Sequence, residues 1–181
     1  MHYRLNWGSA IFIKNMIKHR DQRVCVLVDV ANMYHSAKNL YSRKVNFKEI
    51  LKTAVFGRKL IRAMAYVVKT ESGEESSFLE ALSQQGFEVK EKDLQIFAGG
   101  AKKADWDVGI TVDAIKMAGN MDVIILVTGD GDYVPLVKYL QNTTGCLVEV
   151  IAFQKTASAK LVEEADDFIN LSENTRKYLI K

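Results

Sequence analysis

Four short runs rich in Val, Ile and Leu, at residues 24–30, 60–68, 122–128 and 146–153, alternate with segments whose apolar residues recur at helical spacing. Parallel strands need a crossover between them and a helix supplies it, so this alternation predicts a parallel α/β sheet covered by helices on both faces. The spacing places helices near 33–42, 46–54, 75–85, 107–119, 133–143 and 157–164, with weaker strands at 94–97 and 167–171. Gly86, Gly119 and Gly145 each follow a helical stretch, where glycine often closes a helix. Residues 1–22 read as an added N-terminal helix with Ala10, Ile13, Met16 and Ile17 on one side, a face for its own domain or for a homodimer contact.

With 181 residues, 48% of them apolar, the chain can bury a sizeable core in one domain. The longest apolar runs, such as Val123 to Val127, fall far short of the roughly 20 residues of a membrane span. Lys14, Asn15 and Lys18 interrupt the opening segment too often for a signal-peptide core, so the expected location is the cytoplasm, with no membrane partner. Cys25 and Cys146 sit in strand-like runs without a CxxC partner, and His2, His19 and His35 are scattered, which excludes zinc-ligand spacing and a thiol–histidine nucleophile.

Charge is unevenly distributed. Residues 1–69 hold fourteen Lys/Arg against three Asp/Glu, and residues 70–181 hold eleven against nineteen. A basic half suits an anionic ligand, and residues 38–69 alone carry nine Lys/Arg against Glu49.

The acids are placed where such a sheet binds ligands. Asp29 ends the first apolar run, and Asp130 and Asp132 come after the run at 122–128, each preceded by a glycine. Open parallel sheets bind ligands beyond the carboxyl ends of strands, where strand order reverses. If the strands at 24–30 and 122–128 are neighbours there, Asp29 and Asp130 converge across about a hundred residues. Asp107 and Asp113 flank the inward stripe Ile110, Ala114 and Met117 of the helix at 107–119. Singly, each acid has a structural reading: Asp132 or Asn32 as an N-cap, Asp107 at a helix N-terminus. Asp29 is harder to explain so, because an unpaired carboxylate ending a buried strand is costly. Convergence of four acids calls for a divalent cation, and oxygen ligands without histidine or thiolate suit Mg²⁺ or Mn²⁺. Such a site commonly serves phosphodiester hydrolysis, in which the metal offsets charge developing on the phosphoryl group. Lys102 and Lys103, in a glycine-containing loop, and Arg43 and Lys44, in the basic half, are candidates for holding the phosphate backbone.

The stretches VLVDVANMYHSAKNL, KKADWDVGITVDAIKMA and VILVTGDGDYVPLVKYL together resemble the three signature blocks of the NYN-domain proteins, the LabA-like branch of the PIN-like nuclease superfamily. The resemblance spans roughly residues 23–172, leaving 1–22 as an extension and 173–181 as a helical tail. It implies a PIN-like open sheet in three α/β/α layers and an acidic Mg²⁺ or Mn²⁺ site that cleaves RNA, most simply single-stranded. By position it assigns Asp29 and Asn32 to the first block, Asp107 and Asp113 to the second, and Asp130 and Asp132 to the third. Where many relatives carry Lys-Gly-Val-Asp before the second-block helix, this chain reads KADWD, which leaves Asp105 as an extra ligand or a solvated loop acid and Trp106 as a base-stacking or a packing residue, with loop acid and packing the favoured readings. The alternative is a non-catalytic RNA-binding or regulatory module with the same fold, since fold does not fix function. A haloacid-dehalogenase-like phosphatase is disfavoured because DVANM lacks a second aspartate two residues after the first.

Overall fold

A computed structural model describes residues 16–69, 76–96 and 102–180. The first half holds β1 (Arg23–Asp29), α1 (Val30–Tyr41), β2 (Lys44–Val45), α2 (Phe47–Val55), β3 (Lys59–Lys69), α3 (Ser76–Gln84), β4 (Glu88–Asp93), β5 (Gln95–Ile96) and β6 (Lys102–Lys103). The second holds α4 (Asp107–Ala118), β7 (Val123–Val127), α5 (Val134–Tyr139), β8 (Leu147–Ala152), α6 (Ala159–Glu164), β9 (Asp167–Asn170), α7 (Thr175–Tyr178) and β10 (Leu179–Ile180). The main sheet is six-stranded in the order β4-β3-β1-β7-β8-β9, and every pairing in it is parallel.

Alternation along the strands divides the core in two. Val24, Val26 and Val28 of β1 face one apolar cluster with Met33, Ala37, Ile50, Leu51 and Leu82, whereas Cys25 and Leu27 face the other with Ile110, Ala114, Leu136, Val137 and Leu161. Helices therefore cover both faces, α1 to α3 on one and α4 to α6 on the other, which is the helix-covered parallel sheet that the alternating runs imply and the three-layer PIN-like architecture that the resemblance implies. Among the described residues no helix is long and apolar enough to cross a membrane.

Several expectations shift. The sheet strand between α3 and α4 is β4 at Glu88–Asp93, whereas 94–97 contributes only β5, which pairs with β6 in a separate two-stranded ribbon. The sequence EVKEKD has no apolar run because β4 is a partly exposed edge strand, where charges also discourage pairing with other chains. The helix expected at 133–143 is a 3-10 turn, the short α5 and a π-helical turn over Leu140–Thr144. Gly86 and Gly145 have the positive φ of a left-handed helix end, but Gly119 stays right-handed at φ −62°. Of the N-terminal extension, 1–15 lie outside the described residues, and 16–22 are non-helical, with a turn at Arg20–Asp21. Beyond β9 the chain makes α7 and then β10, which pairs antiparallel with β2 and buries Tyr178 and Leu179.

A buried ion pair fixes the lower part of the sheet. Glu149, in the middle of β8, is fully buried and receives both terminal nitrogens of Arg58, at 2.6 and 2.9 Å. Arg58 also donates to the carbonyls of Ala54 and Val55, so it closes the end of α2 while crossing to β8. Lys18 bridges Glu149 and Asp167 at 3.3 and 3.1 Å, tying the residues ahead of β1 to β8 and β9. Removing one member leaves an uncompensated buried charge, so Glu149→Leu should lower the unfolding free energy by about 3–5 kcal/mol in urea titrations. Adding Arg58→Met to it should restore part of that loss; a double variant no better than the single would show that the pair is not the source.

Candidate metal centre

The site begins where β1 ends. Asp29 is the last residue of β1 and the N-cap of α1, its Oδ1 accepting the Asn32 backbone N–H at 3.0 Å. The cap is thus three positions ahead of the Asn32 cap that the sequence suggests, and α1 starts correspondingly early. Asn32 instead turns its Oδ1 to accept the Gly129 N–H at 2.9 Å, so it clamps the first turn of α1 to the loop beyond β7. Asp29 is 8% exposed, and burial pushes its carboxyl up to about 6 despite the capping bond, with Asp107 and Asp130 adding to the rise.

The loop after β7 is a chain of self-made turns. Asp130 N–H donates to Thr128 Oγ1 at 3.2 Å, and Asp132 N–H donates to Asp130 Oδ1 at 2.9 Å, so Asp130 caps the 3-10 turn at Gly131–Tyr133. Asp132 is therefore capped and does not cap. The two glycines of this loop are not among those with positive φ. They are needed for close approach: a Cβ on Gly129 would lie 3.0 Å from Ala157 Cα, and one on Gly131 would lie 2.7 Å from Ser158 Oγ. The Gly129 carbonyl accepts the Ser158 N–H at 2.8 Å, fixing the loop against the segment that leads into α6.

Asp107 enters from α4, where it is the first helical residue. The hydroxyl of Tyr133, 1% exposed, donates to its Oδ1 at 3.0 Å. Burial raises the Asp107 carboxyl above its ordinary range; the Tyr133 bond opposes this, and Asp130, Asp105 and Asp132 add to it. Asp107, Asp130 and Asp132 each present an oxygen within 4.8 Å of the others. Asp29 lies outside that trio but close enough to feel Asp107 and Asp130. Among the described residues, no lysine or arginine forms an ion pair with any of these four acids. A set of hard oxygen donors, crowded and without a cationic partner, fits Mg²⁺ or Mn²⁺.

Other predicted residues fall elsewhere. Asp113 is outside the trio: it accepts from Tyr66 Oη at 2.8 Å and Lys90 Nζ at 2.6 Å. Burial raises its carboxyl, but those two bonds outweigh it and hold the group below the usual range. Trp106 packs edge-on against Tyr66 and donates Nε1 to the Val67 carbonyl at 3.0 Å, while Gly109 leaves room for its ring, since a Cβ there would sit 2.6 Å from Cε3. The Asp105 carbonyl accepts from Lys92 Nζ at 3.1 Å. Lys102 and Lys103 form β6, five and four residues ahead of Asp107. Arg43 and Lys44 lie past the far end of α1, about 20 Å of helix rise from Asp29. Tyr133, which positions Asp107, is not singled out by the sequence reading; its signal is its place directly after the second aspartate of GDGD.

The Asp29 carboxyl holds its proton more tightly folded, at about 6, than at its ordinary 3.8. Its protonation thus stabilises the metal-free fold fully below about pH 4, and this contribution is lost as pH rises through 6. Asn keeps the capping oxygen without the charge. In chelator, Asp29→Asn should therefore raise stability at pH 7 by up to about 2 kcal/mol and give no advantage at pH 4. Denaturation curves at the two pH values decide this; the same effect at both would mean that the charge is not strained.

Comparison with known proteins agrees with this geometry. The NYN domain matches residues 23–172. Over 167 residues the chain is 30% identical to an uncharacterized protein of Methanocaldococcus jannaschii, covering 91% of this chain and 62% of that protein, so it spans less than two thirds of the relative's length. The solved structure of a protein of unknown function from Vibrio parahaemolyticus is 31% identical, with a TM-score of 0.82 over 91% of this chain and 100% of the other. The matched span runs from the first residue of β1 past the end of β9 and encloses every carboxylate described above: the chain belongs to the NYN domain family.

Proposed function

We propose that this protein is a cytoplasmic, metal-dependent ribonuclease that hydrolyses phosphodiester bonds of single-stranded RNA at the carboxyl edge of its sheet. The observation that carries the reading is the gathering of Asp107, Asp130 and Asp132 within 4.8 Å beside the buried Asp29, in a family of PIN-like fold. Asp107, Asp130 and Asp132 would hold Mg²⁺ or Mn²⁺, with Asp29 completing the negative field. A bound divalent cation would offset the negative charge that develops on the phosphoryl group during water attack.

This chain's own residues do the rest. Tyr133 fixes the orientation of Asp107, and the cap made by Asp130 fixes the turn that carries Tyr133, so both carboxylates are set before any ligand arrives. Asn32 holds the loop bearing Asp130 against the helix capped by Asp29. Asp29, whose carboxyl burial pushes up to about 6, is the group suited to receive a proton near neutrality. One observation favours the rival reading of a non-catalytic RNA-binding module: Asp29 and Asp130 both cap turns, a structural role that would retain them without catalysis. The Asn32 and Asp132 N–H groups both go to Oδ1 of the capping aspartate.

Asp107→Asn separates the two readings, because it keeps the size of the side chain and leaves the distant basic surface untouched. Labelled single-stranded RNA, single-stranded DNA and duplex, incubated with Mg²⁺, Mn²⁺ or chelator, should show metal-dependent cutting of RNA by the wild type. Asp107→Asn should lower its rate by about 100-fold or more while RNA affinity stays level or rises. No cutting of any substrate by the wild type would favour the binding module, and wild-type rates in the variant would reduce Asp107 to a helix-terminus residue.

A further inference from the structure

The structure sorts the basic half of the chain into paired and unpaired charge. Of the nine Lys and Arg in residues 38–69, Lys52, Arg58, Lys59, Arg62 and Lys69 form ion pairs with Glu49, Glu149, Asp21, Glu88 and Glu91. The other four, Lys38, Arg43, Lys44 and Lys48, have no ion pair among the described residues, and all four are exposed. They are adjacent in the fold: Lys38 is in the last turn of α1, Lys44 is in β2, and Lys48 is in the first turn of α2. The chain's end adds to them. β10 pairs with β2, and Asn46 Nδ2 donates to the Lys177 carbonyl at 3.4 Å, which sets the exposed Lys177 beside α2, where its charge acts on Glu49 together with Lys52 and Lys48.

An aromatic ring lies between this corner and the acids. Tyr34 is 44% exposed on α1, with Lys38 Nζ 5.5 Å from its ring centroid and the His35 ring edge-on at 5.4 Å. Tyr34, His35 and Lys38 share the outer face of α1, opposite the buried Met33 and Ala37, and that helix starts at Asp29. Tyr41, on the last turn, packs against Phe153 just beyond β8, so α1 crosses the sheet near the same carboxyl edge.

We propose that the outer face of α1 and the β2–β10 corner form a track for single-stranded RNA, with Tyr34 stacking a base and Lys38, Arg43, Lys44, Lys48 and Lys177 meeting phosphates. The occupant is set by the chemistry: an exposed ring stacks a base of any identity, and unpaired cations in a row match a repeating phosphate chain. An acidic peptide would use the cations and leave the ring idle. The track spans about 20 Å from Asp29 to Arg43, so it engages the strand several nucleotides away from the bond to be cut. It rests on the ribonuclease reading for its ligand, and binding measured without cleavage tests the two separately.

The test is fluorescence anisotropy of the full chain in chelator with a labelled oligoribonucleotide, its fully abasic counterpart, and a salt series. Tyr34→Ala should weaken binding of the normal strand about 10-fold and leave the abasic strand unchanged, whereas Tyr34→Phe should keep wild-type affinity. Lys44→Glu with Lys177→Glu should weaken both strands alike and flatten the dependence on salt. Wild-type affinity in Tyr34→Ala, or equal affinity of the wild type for normal and abasic strands, would overturn the stacking platform and leave only a polyanion surface. Wild-type affinity in the charge-reversed variant would overturn the phosphate track. Failure of the wild type to bind any RNA would remove the track together with the RNA reading.

Discussion

The pairing of β1 with β7 is the constraint on which the site depends. The chain adds strands outward from β1 in one direction, through β3 to β4, then returns to lay β7 on the other side of β1 and continues to β8 and β9. Val28 is thereby in register with Val127, which leaves Asp29 and Thr128 side by side at the carboxyl edge although they are about a hundred positions apart in sequence. Neither strand carries a polar residue in its paired interior apart from the buried thiol of Cys25, so the first oxygen ligands the two strands offer are those at their ends. The site is the place where two buried strands stop.

That adjacency forces a compromise between charge and order. Burial first, and then like charges brought together, raise the affinity of these carboxyls for protons, as Asp29 and Asp107 both show. The surroundings hold the acids there all the same. Asp29 and Asp130 accept backbone N–H groups as helix and turn caps, the Tyr133 hydroxyl holds Asp107, and Asn32 joins α1 to the loop beyond β7. The 156–158 segment presses so closely on that loop that a side chain at 129 or 131 would have to push it back. Stability stored elsewhere, above all in the two apolar clusters, offsets the repulsion.

The fold is legible in the sequence where burial writes a pattern. β1, β7 and β8 are nearly continuous apolar runs because helices cover both faces, and α4 shows its inward stripe at Ile110, Ala114 and Met117. β4 is illegible because an edge strand needs no apolar run. The convergence of Asp29, Asp107 and Asp130 can be read from strand ends and sheet logic, but which oxygen caps which turn cannot, since Asp, Asn and Thr offer the backbone the same acceptor. Asp113 looks equivalent to Asp107 on helical geometry, but it is engaged elsewhere by the Tyr66 hydroxyl and by the lysine at position 90, supplied by the unforeseen β4. Arg43 and Lys44 stand out in the sequence by charge alone; the structure adds what charge counting lacks, namely that five of the nine basic residues in 38–69 are already paired and that these two belong to the remaining four.

The central claim is that Asp107, Asp130 and Asp132 form one cation site. Anomalous diffraction from crystals of the wild-type protein soaked in Mn²⁺ tests it most directly. The account predicts an anomalous peak at about 2.0–2.3 Å from oxygens of these three carboxylates, and its loss in crystals of Asp130→Asn. A peak absent from that position, or one that forms at Asp113 instead, would contradict it.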